Sequence, residues 1–103
     1  VVDTTPLTRA VEHFADKLRA APQSRLQRGA AAEALGLARE LARWSQAVEE
    51  PGAASREMPD AGMFAVADQI TVAGNDLAVV LKNDAEVGDA VRLVEEAQKR
   101  AGV

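Results

Sequence analysis

Apolar side chains recur at three- and four-residue intervals in four stretches of this 103-residue chain, and almost nothing between them breaks the pattern. Leu7, Val11, Phe14 and Leu18 form the first stripe. Ala30, Ala34, Leu37, Leu41, Trp44 and Val48 form the second. Met63, Ala67, Ile70, Leu77 and Leu81 form the third, and Val87, Ala90, Val94 and Ala97 the fourth. Such spacing puts each set on one face of an α-helix. Helices of this kind bury those faces against one another, so the chain is predicted to be all-α. The expected form is a small antiparallel bundle of four helices within a single domain.

Local signals place the boundaries at about 5–20, 24–50, 60–82 and 84–101. Thr5-Pro6 is a helix start, with a capping hydroxyl followed by proline at the first helical position. Pro22 biases Ala21 away from helix, and Ser24 can cap the next one, which Pro51-Gly52 ends. Residues 51–59 are the expected linker. Asp60 and Asp84 are the expected caps of the last two helices, with Asn83-Asp84 marking the turn between them. If Pro22 and Asn83 were only kinks, the chain would be a two-helix hairpin about 65 Å long rather than a bundle of about 35 Å.

Composition narrows the function more than it identifies it. No cysteine is present, which removes disulfides, thiolate metal sites and a thiol nucleophile. The net charge of −4 argues against nucleic acid or an anionic membrane as the general partner, and no run approaches the ~18 apolar residues of a membrane span. Alanine occurs 22 times and arginine outnumbers lysine nine to three, a bias that GC-rich bacterial codons produce. A cytoplasmic protein is expected, with secretion left open because the chain begins at Val1 without a Met. Lys17, Arg19, Arg25 and Arg28 follow one another with no acidic residue between them. They form either a solvated helix junction or a small anion-binding patch.

Chemistry-bearing constellations are few. His13 is the lone histidine, flanked by Glu12 and Asp16, and the paired Glu-x-x-His motifs of di-iron bundles are absent. Glu49-Glu50 and Glu95-Glu96 are adjacent in sequence and so point in different directions on a helix. No phosphate loop, nucleophile elbow or metal-binding helix motif occurs. Neither a cofactor nor an enzymatic activity is expected.

Residues 28–45 resemble part of a helix-turn-helix. Ala32, Leu35, Gly36 and Leu37 stand where that motif has a small residue, an apolar residue, the turn glycine and a second apolar residue. Ala38 and Arg39 replace the usual capping serine or threonine, and Ser45 replaces an apolar residue. The apolar spacing also continues through Gly36 without a phase break. One continuous helix is therefore expected, with Gly36 admitting a close neighbour. A small DNA-binding regulator using Arg39 and Arg43 is the alternative function.

The third helix is the most suggestive segment. Opposite its core stripe it carries Ala65, Asp68, Val72, Asn75 and Val79, again at three- and four-residue spacing. A surface helix normally shows only polar residues there. Two valines one heptad apart, with an asparagine between them, resemble a seam in which the polar residue sets register. These five residues are the expected interface, and the expected partner is a second copy of the chain or another protein. Burial of both faces within the chain's own bundle is the competing reading.

Overall fold

The computed structural model describes residues 2–54 and 56–103. Its first helix, α1, spans Thr5–Ala20. Thr5 is its first residue rather than its cap, and the Asp3 carboxylate accepts the Thr5 amide hydrogen bond at 3.0 Å. Pro6 lies in the first turn, where no amide donor is needed. The helix ends where Pro22 holds Ala21 extended at φ −73° and ψ 141°.

The expected 24–50 helix is divided near its start. A single helical turn at Gln23–Arg25 leads into a wide turn at Leu26–Ala30, so Ser24 lies inside the entry turn and caps nothing. Gly29 adopts φ 137° there, a region that residues bearing a Cβ rarely enter. The long helix, α2, then runs over Ala31–Glu49. It passes Gly36 without a break.

The third helix begins later than its apolar spacing suggested. Asp60 accepts a hydrogen bond from the Gly62 amide at 2.8 Å, and Gly62 sits at φ 95°. Those two features make a turn where a helix was expected, and α3 spans Val66–Val80. The connection is therefore the sixteen residues between Glu49 and Val66 rather than 51–59. The last helix, α4, spans Asp84–Ala101 and is capped by Asn83, one residue before the expected Asp84. The Asn83 side chain accepts from the Glu86 amide at 2.9 Å, and the Glu86 carboxylate accepts from the Lys82 amide at 2.9 Å. That is the reciprocal logic of a capping box.

The four stripes meet in one core. Leu7, Phe14, Leu41, Ile70, Leu77 and Val94 are among its fully buried side chains. Trp44 and Val48, at the far end of the second stripe, are only half-buried, while the intervening Ser45 is buried. Its hydroxyl donates to the Leu41 carbonyl at 3.2 Å, so burial leaves no orphaned group. The extents of 39 × 28 × 17 Å fit a bundle and exclude the long hairpin.

Contacts between named ends give the directions of the helices. Arg19 at the end of α1 reaches Asp68 near the start of α3 at 2.9 Å, so these two run antiparallel. Glu33 in the first turn of α2 meets Arg100 in the last turn of α4 at 2.9 Å, a second antiparallel pair. Between α2 and α3, Leu35 shares a pocket with Val66, and Gln46 and Glu49 share one with Asp76, so this pair is parallel. Pro6 lies with Val87 and Lys17 with Gly102, which makes α1 and α4 parallel too. The order is up, down, down, up. The pairs joined by tight corners, α1 with α2 at Ala21-Pro22 and α3 with α4 at 81–83, do not pack along each other; α1 and α2 each pack on α3 and α4.

At Gly74, α1 lies close against α3. A Cβ at this position would lie 2.8 Å from Val11 Cγ2 and 3.2 Å from Cγ1. The glycine expected to admit a neighbour, Gly36, is instead exposed, with nothing within 4 Å of a Cβ built there. The two positions should respond to alanine with opposite signs. Gly74→Ala forces a stiff β-branched neighbour aside and should cost about 1–3 kcal/mol. Gly36→Ala should gain about 0.5–1 kcal/mol through helix propensity. Urea denaturation of the two variants checks both. Val11→Ala together with Gly74→Ala should cost less than the sum of the two single losses, because the new methyl occupies the vacated space.

Candidate interaction face on the third helix

Because α3 packs on both α1 and α2, its remaining side is the one left to solvent. Three large apolar side chains are exposed among the described residues: Phe64 at 74%, Val72 at 57% and Val79 at 85%. Val72 and Val79 share one face of α3, and Phe64 stands in the turn just before it. From Phe64, in the turn that leads into α3, steps of four, four, three and four residues pass Asp68, Val72, Asn75 and Val79. Val72 and Val79 lie about 10.5 Å apart along the helix. Asp68 and Asn75 are exposed, and Ala65 is half-buried at the helix start. The second face of α3 is thus open to solvent, and it is not spent inside the chain's own core.

Phe64 was not among the residues singled out from the sequence. It falls just before the helix begins, so a heptad count started at Ala65 passes over it. The signal that finds it is the four-residue step back from Asp68. Beside it, a shallow pocket of about 190 Å³ is lined by Leu18, Ala21, Leu26, Met63 and Val66, which extends the apolar surface onto the α1–α2 corner.

The candidate basic patch is split by the fold. Arg19 turns to α3 and pairs with Asp68 at 2.9 Å and with Asp16 at 3.4 Å. Arg25 reaches the other end of the chain and donates to the Gly102 carbonyl at 2.7 Å. Lys17 lines the same pocket as Arg25, and Arg28 is exposed one turn further on. One ion pair, Arg19–Asp68, therefore ties a residue of the basic cluster to the edge of the α3 face.

His13, Glu12 and Asp16 are all exposed on α1. Among the described residues no group of three His, Asp or Glu side chains could hold a metal ion. Hydrogen bonding from Thr5, its side chain foremost, lowers the Asp3 carboxyl below its usual range. The hydrogen bond to Glu33 raises the Arg100 guanidinium above its own. Both groups are fully exposed helix-end contacts, and neither forms a proton-transfer pair in a cleft. Residues 31–49 contain no helix-turn-helix corner, since Ala31–Glu49 is one helix. Arg39 is engaged, donating to the Met58 carbonyl at 2.8 Å and lying 3.2 Å from a Glu57 carboxylate oxygen. Arg43 is exposed.

These features define an all-α, four-helix protein with one apolar line exposed on a helix of the core, and no described helix is long and apolar enough to cross a membrane. No family model, no curated protein and no solved structure matches the chain.

Proposed function

We propose that this chain is a non-enzymatic protein–protein interaction module, a cytoplasmic bacterial helical bundle that self-associates through α3. The observation that carries the reading is that the exposed large apolar residues gather on α3 and its entry turn, Val72 and Val79 on one helix face and Phe64 in the turn before it. Exposed apolar residues scattered singly are ordinary, whereas a row of them on one helix marks a contact surface. A two-fold axis across α3 would set the same row from each subunit against its copy. Asn75, between the valines, would penalise slipped registers, which leave its amide unpaired. The Arg19–Asp68 pair would sit at the rim.

Each fully buried valine contributes about 1.5–3 kcal/mol, and association itself consumes much of the sum. A dimer dissociating in the micromolar range is the expected result. Val72→Glu combined with Val79→Glu should give a folded monomer by light scattering, because both positions are exposed in the single chain. A wild-type protein that is monomeric at high concentration would sink the proposal. The engagement of Arg39 with the connection argues against the DNA-binding alternative. Under the self-association reading, retention on DNA should vanish at physiological salt.

A further inference from the structure

The connection between α2 and α3 is held by side chains. Among the described residues, no backbone–backbone hydrogen bond involves residues 56–61. Gln46 instead grips both main-chain groups of Arg56: its Oε1 accepts from the Arg56 N–H at 2.9 Å, and its Nε2 donates to the Arg56 carbonyl at 3.2 Å. Arg39 Nε donates to the Met58 carbonyl at 2.8 Å, and Gln69 Nε2 donates to the Pro59 carbonyl at 3.0 Å. Met58 is half-buried against the core, while Arg56 and Glu57 stay outside in ion pairs with Glu50 and Arg39.

Pairing both the N–H and the C=O of one residue is what a neighbouring β-strand does. A carboxamide offers the same donor and acceptor without a strand. The three side chains therefore recognise main chain, and specificity is left to the Met58 anchor and to Pro59, which has no N–H to satisfy. Residues 56–59 lie against α2 and α3, which supply Arg39, Gln46 and Gln69. Two pockets flank the segment, one of about 240 Å³ lined by Ala42, Ser45, Glu49, Asp76 and Arg56 itself, the other of about 460 Å³ lined by Leu35 and Val66 together with Asp60, Gly62 and Met63 of the connection.

We propose that Gln46, Arg39 and Gln69 form a binding site for the main chain of an unfolded peptide segment, occupied in cis by residues 56–59. The partner in trans is a peptide carrying a Met-Pro pair in the same register. The site lies apart from Phe64, Val72 and Val79 and does not depend on self-association through them.

The test uses the full chain with residues 56–59 changed at constant length: Arg56→Gly, Glu57→Ser, Met58→Gly and Pro59→Ser. The probe is an N-acetylated fluorescent peptide with the sequence of residues 56–62. Saturable one-to-one binding is expected, at least tenfold tighter than to the wild-type chain, whose own segment competes, and lost when Gln46→Ala is added. Absence of saturable binding to the folded variant, or binding indifferent to Gln46→Ala, overturns the proposal. If the four-residue change prevents folding, the wild-type chain supplies the readout through tryptic cleavage after Arg56. Gln46→Ala should speed that cut at least tenfold while leaving the helical circular dichroism unchanged, and an unchanged cleavage rate overturns the proposal.

Discussion

Residues 1–54 alone, and residues 56–103 alone, are expected to show no cooperative thermal unfolding, and mixing them is expected to restore the helical signal. The reason is the packing order. Close helix–helix contacts run from α1 and α2 to α3 and α4, so neither half contains an interface of its own. Each half would be two amphipathic helices of at most 19 residues with their apolar faces in water. Isolated helices of this length are marginal without tertiary contacts. The mixed fragments recover the whole core but lose the high effective concentration that the connection provides. Their melting should therefore depend on concentration where that of the intact chain does not, with the intact chain held below the micromolar range of the proposed dimer. A cooperative transition in either fragment alone would contradict the packing described.

Leu41→Ala should remove about 2–5 kcal/mol, a large share of the roughly 5–15 kcal/mol typical of a domain. Leu41 is completely buried at the centre of α2, and α2 packs on both α3 and α4. The cost within that range depends on how far the surrounding helices can close over the cavity left behind. Denaturant unfolding should show a lower midpoint with an unchanged slope. Val79→Ala offers the control: it removes a similar kind of side chain from a site that is 85% exposed, and stability should hardly move at protein concentrations below association. A loss below measurement error for Leu41→Ala would mean that α2 turns a different face inward.

The helices were legible because their signal is local. The period of Leu7, Val11, Phe14 and Leu18 requires no knowledge of a partner, and all four proved buried. The same holds for Val87, Ala90, Val94 and Ala97. The corner at Ala21-Pro22 was equally plain, since proline restricts its predecessor by steric contact alone. Helix starts were harder. Asp60 looked like a cap, and it does accept an amide hydrogen bond, but from Gly62 within a turn. An acidic side chain before an apolar run serves either purpose, and the choice depends on where the chain must go next.

The exposed face of α3 was legible in part. Val72, Asn75 and Val79 follow from heptad spacing, yet spacing cannot distinguish a second buried face from an exposed one. That distinction requires knowing that α1 and α2 together cover only one side of α3. Phe64 escaped because it stands in the turn before the helix, where a heptad count does not reach.

What the sequence determined by itself is the set of helices and the face each turns inward, because helical period, capping and proline sterics act within a few residues. What only the tertiary structure decided is which helices meet and in which direction. The sixteen-residue connection returns along α2 under the grip of Gln46, Arg39 and Gln69, and so sets α3 parallel to α2. The role of the glycines was decided at the same level. Gly36 and Gly74 look alike within their helices, and only the approach of Val11 makes an added methyl costly at one of them. Such contacts join residues far apart in the chain, no local pattern encodes them, and here they decide only the sign of an alanine substitution.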